Sequence, residues 1–303
     1  MTIAELMRRA AGQGPARISV AAAHDPDVLS AVCAARRQGL AEPILVGDCG
    51  RIMELLCGMG EEPGRFELIP AQTEADCAKA AVALVTAGRA NLLMKGQMGT
   101  ASLLRAVIDK ETGIRTGRLI SHVMFYEPPE HKLMALTDGG MNPFPNLEQK
   151  AEILENAAMT MQLLGYSSLY AACVCGAEVV NPKIVSMTDA EALTNMKERW
   201  RPYNMEVYGP VGLDLAVSAE ACRHKGYRAP GAGEADILLV PSYEVGNALG
   251  KAMSIFGGAK NAGIVVGARA PIVLVSRSDS AETKLASIAL SALVARAQQQ
   301  KEA

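Results

Sequence analysis

Short apolar runs of strand length alternate with helical patterns along almost the whole chain, and that alternation leaves few architectures open. The apolar runs lie at 18–22, 44–46, 91–94, 119–125, 132–136, 170–174, 237–240, 263–266 and 272–275. Helical spacing occupies 26–38, 74–87, 101–109, 147–163, 188–198, 213–223, 246–256 and 280–297. Parallel neighbours need a crossover connection, usually a helix, so this order predicts an α/β chain with mainly parallel sheets. A length of 303 residues allows one large core or two ordinary ones. The densest cluster of chain breakers, Gly139-Gly140-Met141-Asn142-Pro143-Phe144-Pro145, places a domain boundary near 137–146.

Composition excludes several classes. The 30 basic and 32 acidic residues leave a net charge of −2, with no cationic excess for nucleic acid or an anionic membrane. No apolar run reaches the ~18 residues of a spanning helix. Residues 1–9 are a short amphipathic stretch without the apolar core of a signal peptide. The seven cysteines form no Cys-x-x-Cys pair and no zinc spacing with histidine. They read as buried free thiols of a reducing cytoplasm. No Gly-x-Gly-x-x-Gly occurs, so a Rossmann dinucleotide site has no support.

The polar residues of interest directly follow apolar runs. Ser276-Arg277-Ser278-Asp279 follows 272–275 and precedes a long helix. A guanidinium that can grip an anion and a carboxylate that can take a proton stand two residues apart there. Asp279 with Glu282 also fits a plain helix N-cap. Lys95 ends another run and enters Gly96-Gln97-Met98-Gly99-Thr100, a glycine-containing loop ahead of a helix. It is not a Walker A loop, because Lys95 precedes the glycines. Asp138 ends a third run before Gly139-Gly140, where turn formation is the default role. Asn142 and Lys150 read equally as loop polarity and solvated helix. Asn247, four residues before Lys251, reads as the N-cap of its helix. His122, inside an apolar run, reads as a core or rim histidine. Cys173 and Cys175, in another, read as two thiols on one strand face. Parallel strand ends share one side, where open α/β sheets bind ligands. A cationic, amide-rich site of this kind suits a phosphorylated ligand.

With these segments together, the chain resembles the phosphate acetyl/butyryltransferase family. The resemblance rests on Thr137-Asp138-Gly139-Gly140-Met141-Asn142, Leu147-Glu148-Gln149-Lys150, the 208–214 stretch Tyr-Gly-Pro-Val-Gly-Leu-Asp, the 246–251 stretch Gly-Asn-Ala-Leu-Gly-Lys, and Ser276-Arg277-Ser278-Asp279. It spans most of the chain and leans toward the butyryltransferase branch, because the Ser-Arg-Gly of acetyltransferases is replaced by Ser-Arg-Ser-Asp. It implies two α/β domains of the isocitrate/isopropylmalate dehydrogenase type, 1–137 with 269–303 and 138–268, with the active site in the cleft. It also implies a cytoplasmic homodimer or larger homo-oligomer. The implied reaction is reversible acyl transfer between CoA and inorganic phosphate, with CoA and phosphate as substrates and no metal or other cofactor. Ser276, Arg277 and Asp279 are the implied catalytic residues. Lys95, Thr100, Ser121, Asp138, Asn142, Asn247 and Lys251 are the implied substrate contacts. Acetyltransferases carry an aspartate several residues past the Ser-Arg pair; here Thr283 stands near that place and Asp279 is the nearest carboxylate. Three other readings are open: a phosphate acetyltransferase, a metal- and nicotinamide-dependent decarboxylating dehydrogenase on the same fold, and an acyl-CoA-binding domain without catalysis.

Overall fold

A computed structural model describes residues 1–276 and 279–302. The chain divides into two compact units, Met1–Arg118 with Ala262–Ala303, and Leu119–Asn261. In the first, α1 (Ile3–Gly12), β1 (Ala16–Ala21), α2 (Pro26–Arg37), β2 (Ala41–Gly47), α3 (Cys49–Gly58), β3 (Glu67–Pro70), α4 (Glu74–Thr86), β4 (Leu92–Lys95) and α5 (Thr100–Val107) follow one another. In the second come β5 (Ser121–Glu127), β6 (Met134–Thr137), α6 (Leu147–Leu163), β7 (Leu169–Val174), α7 (Val185–Asn195), α8 (Lys197–Trp200), β8 (Met205–Val211), α9 (Leu213–Val217), α10 (Ala219–Lys225), β9 (Ile237–Leu239) and α11 (Tyr243–Ile255). The strand β10 (Lys260–Val266) leads back, and β11 (Ile272–Val273) and α12 (Ala281–Glu302) complete the first unit.

The strand order of the first unit is β3-β2-β1-β4-β11-β10. All these pairings are parallel except β10 with β11. The order in the second is β5-β6-β9-β7-β8, parallel except for the β5–β6 hairpin. The chain is therefore mixed α/β with mostly parallel sheets. Buried strands read as unbroken apolar runs, and β1, β4 and β9 are buried along nearly their whole length. The last helix, α12, packs against α1 and α2, while α4 packs against α5 and β1. The breaker-rich stretch 139–145 lies inside the second unit, because β6, just before it, pairs with β9, just before α11.

Helix starts follow side-chain chemistry. Asp25, Asp48 and Thr73 each accept the backbone N–H three residues on. Asn146 and Gln149 form a reciprocal capping box at the start of α6. The 213–223 stretch is two helices instead of one, because Ser218 leaves helical geometry and caps α10.

Candidate active site

In the first unit, β4 lies between β1 and β11, so the three carboxyl ends share one side. Beyond β4 the chain folds over the end of β1. Gly96 N–H donates to Ala21 O at 2.7 Å and Gln97 N–H to Ala22 O at 2.8 Å. A Cβ on Gly96 would stand 2.2 Å from Ala22 O and 2.5 Å from Ala21 O, so no other residue fits. The Lys95 ammonium donates to Gly96 O at 3.2 Å and Met98 O at 3.1 Å. Its charge thus also braces the loop that carries it. Thr100 is exposed in the first turn of α5, whose capping Gly99 N–H donates to Glu74 Oε2 at 3.2 Å.

Beyond β11 the exposed Ser276 and the half-buried Asp279 close a turn. Ser276 N–H donates to Asp279 Oδ2 at 2.7 Å, and Asp279 N–H donates back to Ser276 O at 3.2 Å. Asp279 was expected to cap α12, and it does not. Ser280 Oγ accepts Thr283 N–H at 3.1 Å, so Ser280 holds the helix start and Asp279 faces the Ser276 end of the turn. Arg277 and Ser278 lie outside the described residues. The turn borders a crevice lined by Asp25, Asp27, Lys95, Gly96, Ser276 and Lys284. Asp25 is occupied there as the cap of α2 through Val28 N–H.

In the second unit, Asp138 is 2 % exposed and its carboxylate accepts four donors. Gly140 N–H and Met141 N–H reach Oδ1 at 2.8 Å each. His122 N–H and Asn142 Nδ2 reach Oδ2 at 3.1 and 2.7 Å. This is the turn-forming role expected from Asp before two glycines, enlarged by a strand amide and a side-chain amide. Asn142 Nδ2 also donates to Ile120 O at 2.9 Å, tying the turn to the segment before β5. The start of α11 rests on the same turn. A Cβ on Gly246 would meet Gly139 Cα at 2.7 Å, and one on Gly139 would meet the Gly246 carbonyl carbon at 2.8 Å. Asn247 was expected to cap α11; Ser242 does so instead, and Asn247 lies one turn inside, with Nδ2 3.4 Å from Gly139 O. Lys251 follows one turn on and is exposed.

Two sequence expectations meet a different environment. Ser121 is fully buried, and its Oγ accepts Asn156 Nδ2 at 2.9 Å. Lys150, read as solvated helix, is 5 % exposed and pairs with Asp189 Oδ2 at 2.7 Å. Burial raises the pKa of the Cys173 and Cys175 thiols, and pushes Cys33 up to about 11. Cys175 lies beyond the end of β7 and its Sγ donates to Ser186 O at 3.4 Å. Among the described residues no His, Cys, Asp and Glu cluster is placed to hold a metal, and no helix is long and apolar enough to cross a membrane.

Of the expected residues, Lys95, Thr100, Ser276 and Asp279 belong to the first unit, and Ser121, Asp138, Asn142, Asn247 and Lys251 to the second. Lys95 and Ser276 share one crevice, and Asp138 and Asn142 share one hydrogen-bonded turn. Lys284 escaped the sequence reading. Its signal was a lysine in the first turn of a helix, where carboxylates are the favoured charge.

The family model described as phosphate acetyl/butaryl transferase matches residues 65–292. The phosphate butyryltransferase of Clostridium acetobutylicum is 40 % identical over 292 residues, 96 % of this chain and 97 % of that protein. The phosphate acetyltransferase of Thermotoga maritima is 37 % identical over 299 residues, 97 % of this chain and all of that protein. The crystal structure of a branched-chain phosphotransacylase from Enterococcus faecalis V583 superimposes with a TM-score of 0.84 at 34 % identity, covering 92 % of this chain and 99 % of that one. Near-complete coverage in both directions, at identities well above those shared by fold alone, leaves one conclusion: the chain belongs to the phosphate acetyl/butyryl transferase family.

Proposed function

We propose that this protein is a phosphate acyltransferase that moves a short acyl group reversibly between CoA and inorganic phosphate, with butanoyl-CoA + phosphate = butanoyl phosphate + CoA as its main reaction. The observation that carries the proposal is the 40 % identity over nearly the full length of both chains with a phosphate butyryltransferase. The similar identity to a phosphate acetyltransferase supports acetyl-CoA as the second acyl donor.

The chemistry assigns roles as follows. A phosphate oxygen attacks the thioester carbonyl, the C–S bond breaks, and the proton lost by hydrogen phosphate ends on the CoA sulfur. Arg277 grips the phosphoryl oxygens with its planar fork. Ser276 donates to the oxyanion that develops on the carbonyl. Asp279 takes the proton from hydrogen phosphate and returns it to the departing sulfur. The half-buried position of Asp279 beside Ser276 supports that role. Asp138 is the weaker choice, because four donors already hold its carboxylate. Lys95, Thr100, Asn142, Asn247 and Lys251 bind substrate, and Ser121 acts from the interior by orienting the segment before β5. The same proposal includes an isocitrate/isopropylmalate dehydrogenase-like pair of domains with the site in their cleft. It also includes a cytoplasmic homo-oligomer with no cofactor besides its substrates. The seven free cysteines support a reducing compartment. The exposed apolar pair Ile255 and Phe256 supports a subunit interface.

The test is thiol release from acetyl-, propionyl-, butyryl-, isobutyryl- and longer acyl-CoA, with and without phosphate. Phosphate-dependent release is expected. Tight CoA binding without release from any ester would favour an acyl-CoA-binding protein. Magnesium-dependent nicotinamide reduction would favour a dehydrogenase.

A further inference from the structure

Lys284 is a buried charge of the first unit with a loosely held partner. It is 6 % exposed, it sits in the first turn of α12, and it lines the same crevice as Ser276 and Gly96. Burial disfavours an ammonium, and so does the positive end of a helix. A buried charge in such a place needs an anion. Its ion-pair partner is Asp27, whose carboxylate oxygen stands 3.6 Å from Nζ, beyond a short charged hydrogen bond, and whose side chain is 69 % exposed. Asp27 is thus a solvated, loosely held counter-ion, free to turn outward. The other carboxylate of the crevice, Asp25, is committed to capping α2. The Lys95 ammonium is engaged with the Gly96 and Met98 carbonyls.

We infer that Lys284 is a substrate-binding residue for the phosphoryl group of inorganic phosphate or acyl phosphate, with Asp27 holding its place until that oxyanion arrives. The inference deepens the proposed activity and rests on it. When phosphate enters, Asp27 leaves for solvent and a doubly charged oxyanion takes the ammonium, near the positive end of the α12 dipole. The arrangement explains a lysine at a helix position that favours acids. It also explains why the partner of a nearly inaccessible lysine is itself accessible. An oxyanion in this crevice could be the transferred phosphate or a phosphate of CoA, and steady-state kinetics separates the two.

Lys284→Gln, Lys284→Arg and Asp27→Asn are compared with the wild type in phosphate-dependent thiol release, each substrate being varied in turn. Binding of inorganic phosphate alone is measured by calorimetry. Losing one charged contact predicts a phosphate KM and Kd raised about 10- to 100-fold in Lys284→Gln. The KM for acyl-CoA should change less than about threefold. Lys284→Arg should recover part of the loss, and Asp27→Asn should tighten phosphate by removing its competitor. If Lys284→Gln and Asp27→Asn lower Tm alike while phosphate KM and Kd stay put, Lys284 is a structural partner of Asp27 and the inference fails. A rise confined to the acyl-CoA KM overturns it as well. Should Lys284→Gln not fold, weaker phosphate binding by Asp27→Asn alone contradicts the inference. A wild type inactive with every acyl-CoA ester contradicts the proposed activity instead, a distinguishable failure.

Discussion

At the scale of single residues, two substitutions separate chemistry from support. Arg277→Lys keeps the charge but loses the two-pronged grip on an anion. A loss of about 2–4 kcal/mol of transition-state binding, roughly 30- to 1,000-fold in kcat/KM, is expected, with Tm unchanged. Near wild-type turnover in Arg277→Lys would remove the residue from the site. Asp279→Asn is the sharper probe because Ser280 caps α12. The asparagine oxygen can still accept Ser276 N–H, as Asp279 Oδ2 does at 2.7 Å, so the turn survives while the proposed base is gone. The expected outcome is a fall in kcat of at least about 100-fold at constant Tm. An active Asp279→Asn enzyme would move the proton transfer to another group. Both residues were proposed from the sequence because they are polar groups directly past an apolar run. The cap itself was not, because Asp279 and Ser280 are both good N-cap types and only backbone geometry decides between them.

At the scale of elements, the Asp138 turn and the start of α11 form one backbone contact. Gly246→Ala would place a methyl 2.7 Å from Gly139 Cα and 2.8 Å from Val240 Cγ2, where little can yield. A cost of about 1–3 kcal/mol is expected, read as a Tm lowered by several degrees. An unshifted Tm would show that α11 docks independently of the turn. The buried Lys150–Asp189 pair joins α6 to α7, with side chains 6 % and 13 % exposed. Lys150→Met alone should cost about 3–5 kcal/mol by stranding a carboxylate, and adding Asp189→Leu should recover much of it. Equal stability of the single and double variants would show that the pair is not coupled. Apolar runs revealed the buried strands because parallel strands covered on both faces are continuous in hydrophobicity. The four-residue β3 and the glycine- and proline-containing β8 were missed, since neither carries such a run. Lys150 was misread because sequence alone does not show the carboxylate, 39 residues away, that makes its burial tolerable.

At the scale of the whole molecule, family motifs spread over the chain, and no single spacing, made the activity legible. The individual residues allowed turns, caps and solvated helix faces equally well. The division into units was less legible. The breakers at 139–145 sit inside a unit, because long-range strand pairing, which leaves no local trace, keeps β6 beside β9. Acyl preference belongs to this scale too. Two buried methylenes beyond acetyl contribute about 1.6 kcal/mol, so kcat/KM for butyryl-CoA should exceed that for acetyl-CoA by about tenfold. Equal or better use of acetyl-CoA would reassign the branch and leave the reaction class standing. The reaction class is tested most directly by following butyryl-CoA and inorganic phosphate with the purified protein by phosphorus NMR while counting released thiol. One butyryl phosphate should appear for each thiol, with no thiol released when phosphate is omitted, and added CoA should reverse the reaction. Thiol release that continues without phosphate and yields free butyrate, or no release at all, would contradict a phosphate acyltransferase.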